Sequence, residues 1–152
     1  MLAAHYIRNI LIVASITIFL LVVGCHHQHT PLVSNPGVVS YSFRHQFEKD
    51  LPGTLDLIKS MGITNIEFSN LFGYSAAELK ELLDERGMEC TSYGVSYNAL
   101  IDDLDQVVAD AKTLGAKYVR VAWIPFDDEF TISDAKRATV VFNNAGRILS
   151  EN

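Results

Sequence analysis

The chain has 152 residues, 49% of them hydrophobic and 20% charged, with a net charge of −6 at neutral pH. That length holds one domain, and that balance belongs to a packed globular chain, not a disordered one. An acidic chain without basic clusters offers little for phosphate neutralisation, so no nucleic-acid partner is expected. Two cysteines make at most one bridge and exclude a disulfide scaffold.

At the N-terminus, Arg8 is the only charged side chain before Gly24, and Ile10 to Val23 is an apolar run of about fourteen residues. A bilayer-spanning helix needs roughly 20, so the layout is that of a secretory leader. The ending Leu21-Val22-Val23-Gly24-Cys25 resembles the lipobox of bacterial lipoproteins. That resemblance implies a signal peptide over residues 1–24, cleavage before Cys25, and lipidation of Cys25. The remainder is then expected in the bacterial cell envelope, extracytoplasmic and held to the lipid bilayer through the acylated cysteine. An uncleaved membrane anchor helix is the alternative, with the same sidedness. His26, His27 and His29 follow directly. Close imidazoles can bind a metal, but these stand in a stretch with Thr30, Pro31, Ser34, Asn35 and Pro36 that fixes no ligand geometry. Residues 25–36 therefore read as a tether.

From Gly37 onward the chain repeats. Gly37, Gly62, Gly87 and Gly115 stand 25, 25 and 28 residues apart, and each precedes a β-branched or aromatic run. The runs are Val38 to Phe43, Ile63 to Phe68, Cys90 to Val95 and Tyr118 to Trp123. Between them lie stretches with helical spacing of apolar residues. The first helix is predicted from Leu51 to Met61, with Asp50 as N-cap and Pro52 in the first turn. Ser75-Ala76-Ala77-Glu78 fits a capping box that opens the second. A third is predicted over Asp102 to Leu114, burying Leu104, Val107, Val108, Ala111 and Leu114. The fourth starts near Thr131 or Ser133 and runs to about Ser150, with Ala138, Val141, Phe142, Ala145 and Leu149 inward. Strand, loop, helix and glycine in repetition predict βα units and an α/β fold with parallel strands.

Glu67 sits between Ile66 and Phe68, and Arg120 between Val119 and Val121. If the apolar neighbours pack under helices, both charges point to the opposite face. A doubly wound sheet would bury them under a second helix layer, which is unfavourable unless they pair. A barrel places them in its lumen. Both a structural ion pair and a polar lumen position fit the pattern.

From Val39 onward the chain resembles the first half of the xylose-isomerase-like TIM barrels, the sugar phosphate isomerase/epimerase family. The resemblance rests on Val39-Ser40-Tyr41-Ser42-Phe43-Arg44, on Gly62-Ile63-Thr64-Asn65-Ile66-Glu67, and on Gly115 through Pro125. Asp134-Ala135-Lys136 and Phe142-Asn143-Asn144-Ala145-Gly146 fit the same pattern. It implies that residues 37–152 form the first four βα units of a TIM barrel, a (βα)4 half. It also implies a sugar or sugar derivative as ligand and a divalent metal as cofactor. In that family, metal-linked glutamates move a proton through an enediolate. The family's metal ligands come from strands five to eight, so no residue of this chain takes a catalytic or metal-binding role. Proton-transfer activity is accordingly not expected of these residues alone.

Several residues are expected at the mouth. His45 follows the first strand, Glu67 and Asn70 close the second, Tyr97 follows the third and Trp123 closes the fourth. His45, Glu67 and Trp123 are the candidate substrate-binding residues, Trp123 by stacking on a sugar face and Glu67 by accepting hydroxyls. Trp123 as barrel core and His45 as an exposed loop residue are the structural alternatives. Asp127-Asp128-Glu129 reads as a solvated turn. A second reading of the whole is a non-catalytic carbohydrate-binding or assembly module. In it, two copies of a half-barrel pair edge to edge as a homodimer. A flavodoxin-like domain fits less well, because Phe43-Arg44-His45-Gln46-Phe47 stands where a glycine-rich phosphate loop belongs.

Overall fold

A computed structural model describes residues 35–152. The leader over 1–24, Cys25, His26, His27 and His29 lie outside the described residues, as does nearly all of the tether. Four strands and six helices alternate: β1 Gly37–Val39, α1 Arg44–Phe47, α2 Leu51–Ser60, β2 Asn65–Phe68, α3 Ala76–Asp84, β3 Glu89–Val95, α4 Ala99–Asp102, α5 Leu104–Leu114, β4 Tyr118–Val121 and α6 Ile132–Ser150. A 3₁₀ turn over Ser40–Phe43 joins β1 to α1. The strands form one parallel sheet in the order β1-β2-β3-β4.

That order decides the architecture. Each strand pairs with its predecessor, so there is no point at which the winding reverses, as a doubly wound sheet requires. Right-handed crossovers then put every helix on the same face. Ile66, Phe68, Cys90 and Tyr93 are buried on that face, against Leu55 and Ile58 of α2, Leu79 and Leu83 of α3, and Ala111 and Leu114 of α5. Burying a side chain of this size contributes about 1.5–3 kcal/mol. A smaller cluster joins Leu100, Val107 and Ala145, with Val95, Val119, Val121, Val141 and Leu149 around it. The result is the (βα)4 portion of a TIM barrel.

The helix ends follow the local sequence. Asp50 accepts a hydrogen bond from the backbone N–H of Gly53 at the start of α2. Ser75 with Glu78, and Thr131 with Asp134, form reciprocal capping boxes at α3 and α6. The recurring glycines Gly62, Gly87 and Gly115 all have positive φ (80°, 60° and 73°), which ends each helix without a Cβ penalty.

The fold departs from the sequence expectation in three places. The first strand is shorter than Val38 to Phe43, because the chain turns into the 3₁₀ segment at Ser40. Ser40 is fully buried there, and its Oγ accepts from the backbone N–H of Ser69, tying the ends of β1 and β2 together. The third predicted helix starts at Leu104 rather than Asp102, because Asp103, with a φ of −137°, is not helical, and a short helix the sequence did not predict, α4, precedes it. On α6, Phe142 stays partly exposed while Ala138 and Ala145 carry the burial.

Candidate active-site cleft

The C-terminal ends of parallel strands are where TIM-barrel sites are built, from the loops that follow them. Here the loops after β2, β3 and β4 surround a cleft of about 840 Å³. Ser69 and Asn70 line it from β2, Ser96, Tyr97 and Asn98 from β3, and Ala122 and Trp123 from β4. Gln106 and Asp110 border it from α5, and Asp103 from the break before that helix. A second cleft of about 400 Å³ opens on the lumen face between Val39, Tyr41, Gly94 and Arg120. The two share Ser69, Asn70, Gly94, Val95 and Ala122, so they are continuous.

Several side chains around the mouth are held in place by local chemistry. Asn70 Oδ1 accepts from the Phe72 backbone N–H at 2.6 Å, a tight turn that carries Phe72 to a positive φ of 49°. Phe72 then stacks on Phe47, with ring centroids 5.0 Å apart. Ser96 Oγ accepts from the Ala99 N–H and so starts α4. Asp110 accepts from Gln106 one turn earlier at 2.9 Å and lies 3.5 Å from the Tyr93 hydroxyl. Burial, and then the Asp110 carboxylate, push the Tyr93 phenol up to about 12. Tyr97 is only 4% exposed and packs edge-on against Phe142 at 5.8 Å. Its hydroxyl has no hydrogen-bond partner among the described residues.

The three residues expected to bind substrate are not gathered into one place. Trp123 lines the larger cleft and is 60% exposed, packing on Phe126 at 5.5 Å. Glu67 lies on the lumen face of β2, opposite in direction to buried Ile66 and Phe68. There its Oε1 accepts from Arg120 Nε at 2.6 Å and Nη2 at 2.5 Å. The lumen position and the ion pair, alternatives in the sequence, are both present. His45 stands on α1 with its ring exposed, 3.4 Å from Glu48, and borders neither cleft. The loop residues Ser96, Asn98 and Asp103 are cleft residues that sequence reasoning missed. Their only signal is their place after a predicted strand, which any solvated turn shares.

A divalent cation does not fit the described residues. Among them no three His, Cys, Asp or Glu side chains converge as ligands. Asp127, Asp128 and Glu129 are exposed on the β4–α6 loop. Cys90 is buried, and burial pushes its thiol up, away from the thiolate a metal would need. Among the described residues no helix is long and apolar enough to cross a membrane.

No family model matches the chain, and no curated protein matches it. Among solved structures the chain is similar to a sugar phosphate isomerase/epimerase from Parabacteroides distasonis ATCC 8503, with a TM-score of 0.67 and 18% sequence identity. The match covers 82% of this chain and 50% of that one, so the chain spans about half the length of the structure it matches. The fold that the sequence resemblance implied is therefore present: the described residues 35–152 carry half of a TIM barrel.

Proposed function

We propose that this chain supplies the sugar-binding side of a sugar isomerase/epimerase-type barrel, positioned outside the cytoplasm by a lipidated Cys25. The observation that supports it most is the cleft at the strand ends, where an exposed indole stands among hydroxyl and amide side chains. An aromatic face covers the C–H side of a pyranose, while Asn and Ser groups exchange hydrogen bonds with its hydroxyls. Trp123 is the stacking platform. Asn98, and the Nδ2 amide of Asn70, line the same cleft and are the hydroxyl partners.

The described residues bind and do not by themselves move the proton. Glu67 is committed to Arg120, and the carboxylates at the cleft, Asp103 and Asp110, belong to one wall. Two groups on opposite faces of a substrate are needed to take a proton off and return it. The divalent metal that such barrels use would have to be held by groups outside those described. Its part, polarising a carbonyl, is supplied only when bound.

Calorimetric titration of the 152-residue chain with D-xylose and D-glucose tests the binding half. Saturable heat that disappears in Trp123→Ala is expected, and unchanged affinity in that variant contradicts it. Incubation with sugar and Mn²⁺ in D₂O tests the other half. No deuterium should enter the carbon beside the carbonyl, and metal-dependent exchange would contradict the reading.

The second reading, a carbohydrate-binding or assembly module, is favoured by the exposed apolar residues at the two outer strands. Val39 lies on β1, Tyr41 in the 3₁₀ turn that follows it, and Tyr118 on β4. Exposed parallel edges invite pairing with another copy. A homodimer in solution whose formation is lost in Tyr118→Lys would support it, and a monomer would count against it.

A further inference from the structure

Among the described residues, β1 and β4 each pair on one side only, so both outer edges of the sheet carry backbone groups without strand partners. The two edges run in the same direction, and the registers between them carry a stagger. Val39 is level with Glu67, Glu67 with Ser92, and Ser92 with Tyr118, where β4 begins. β1 begins at Gly37, so the strand starts advance by two residues (39 − 37 = 2) over three steps. An eight-stranded barrel with a shear of eight advances by about four residues over half its circumference. One further step of about two residues from β4 therefore reaches the level at which a second β1 would start. It sets Arg120 beside a second Gly37 and the end of β4 beside a second Val39.

The loops that leave these edges at the same end of the sheet carry opposite, uncompensated charges. After β4, Asp127, Asp128 and Glu129 are exposed and form no ion pair among the described residues. After β1, Arg44 lies over the Tyr41 ring at 4.5 Å and donates to the Tyr41 carbonyl, meeting no carboxylate among those residues. Lys49 is exposed beside it and likewise unpaired among them. The carboxylates nearby are engaged, Glu48 by His45 and Asp50 by the start of α2. Each edge also ends in an aromatic side chain that is 60% exposed, Tyr41 after β1 and Trp123 after β4.

Resting on the assembly reading above, we infer that a second copy of this chain occupies both edges, closing an eight-stranded barrel with β4 of each copy beside β1 of the other. A two-fold axis along the barrel closes both edges in one operation and keeps all eight strands parallel. Each acidic loop then faces the other copy's Arg44 and Lys49, and each Trp123 stands beside the other copy's Tyr41. The lumen cleft bordered by Val39, Tyr41 and Arg120 is open in one copy, and the second copy's lumen face supplies its missing wall. The Glu67–Arg120 pair is neutral as a unit, so two such pairs facing one another bring no net charge into the lumen.

Sedimentation of the full 152-residue chain in detergent is followed for the parent, for Arg44→Glu, and for a loop variant carrying Asp127→Lys with Asp128→Lys. The parent is expected to be a dimer that weakens as salt is added. Each variant alone opposes like charges at both contacts, and its dissociation constant should rise at least about tenfold. Mixed in equal amounts, the two variants should recover the dimer, because both contacts between unlike copies are then attractive. Far-UV circular dichroism of each variant checks that it is folded, and recovery on mixing shows it independently. A dimer indifferent to both variants, or one that mixing does not restore, overturns the β4–β1 pairing and leaves a homodimer standing. A monomeric parent removes the assembly reading and the inference together.

Discussion

Arg120 reaches across β3 to Glu67, placing both Nε and Nη2 on a single carboxylate oxygen at 2.6 and 2.5 Å. The two residues belong to β4 and β2, with Gly94 of β3 in register beside Arg120. The pair thus spans three strands on the lumen face. Glu67 is 17% exposed and Arg120 40% exposed at the side chain, between a surface pair and a buried one. Exposed pairs contribute about 0–1 kcal/mol, and truncating one partner of a buried pair costs about 3–5. Arg120→Ala should therefore destabilise by about 1–2 kcal/mol, and Glu67→Gln by less, because an amide still accepts from the guanidinium. Urea unfolding of both single variants and the double variant checks this. Strict additivity would show that the two side chains do not interact.

Gly94 makes that crossing possible in a second way. A Cβ at this position would lie 2.9 Å from the Ser69 Cα and 3.0 Å from the Phe68 carbonyl oxygen. Both obstacles are backbone, which cannot swing aside. Gly94→Ala should push β3 away from the end of β2 and destabilise by about 1–3 kcal/mol. A Tm within one degree of the parent would contradict the close approach.

Acid should loosen α3 and α6 at their starts. The backbone N–H and hydroxyl of Ser75 hold the Glu78 carboxyl below its usual range, and the Thr131 hydroxyl and N–H do the same for Asp134. A depressed carboxylate contributes stability that is present above its ordinary pKa and lost as pH falls through the lowered one. Ser75→Ala should lower stability by about 1 kcal/mol at neutral pH. It should also flatten the acid limb of the stability curve, because Glu78 then has less to lose. Denaturant midpoints from pH 7 down to pH 3 report both effects.

Tyr93 gives the opposite limb. With its phenol pushed up to about 12, from an ordinary value near 10, the folded state keeps a proton that the unfolded chain releases. Its contribution is full below about pH 10 and lost as pH rises toward 12. Stability should fall across that window in the parent and more gently in Tyr93→Phe. An identical alkaline slope in the two proteins would contradict it.

Much of the fold was legible because local chemistry and packing agree. The Ser75–Glu78 box, the Asp50 cap and the helix-ending glycines each act within a few residues, and each is where the sequence put it. The short helix α4 was hidden, because a single turn over Ala99–Asp102 is too brief to show a helical period before non-helical Asp103 ends it. The cleft was harder still. Trp123 at the end of an apolar run reads equally as core or as platform, and it is exposed because β4 ends at Val121, before it. Ser96, Asn98 and Asp103 look like any solvated turn until three loops are brought to the same end of the sheet. His45 misleads for the converse reason: it follows β1, but the early 3₁₀ turn carries it onto α1, where it faces Glu48 and solvent.

The most direct test of the central claim is where a sugar lands. A ¹H–¹⁵N correlation spectrum of the chain, titrated with D-glucose, should shift the Trp123 indole N–H and the backbone amides of Asn70, Ser96 and Asn98 along one binding curve. Shifts confined to the opposite, N-terminal ends of the strands, or none at all, would contradict a sugar site at the strand C-termini.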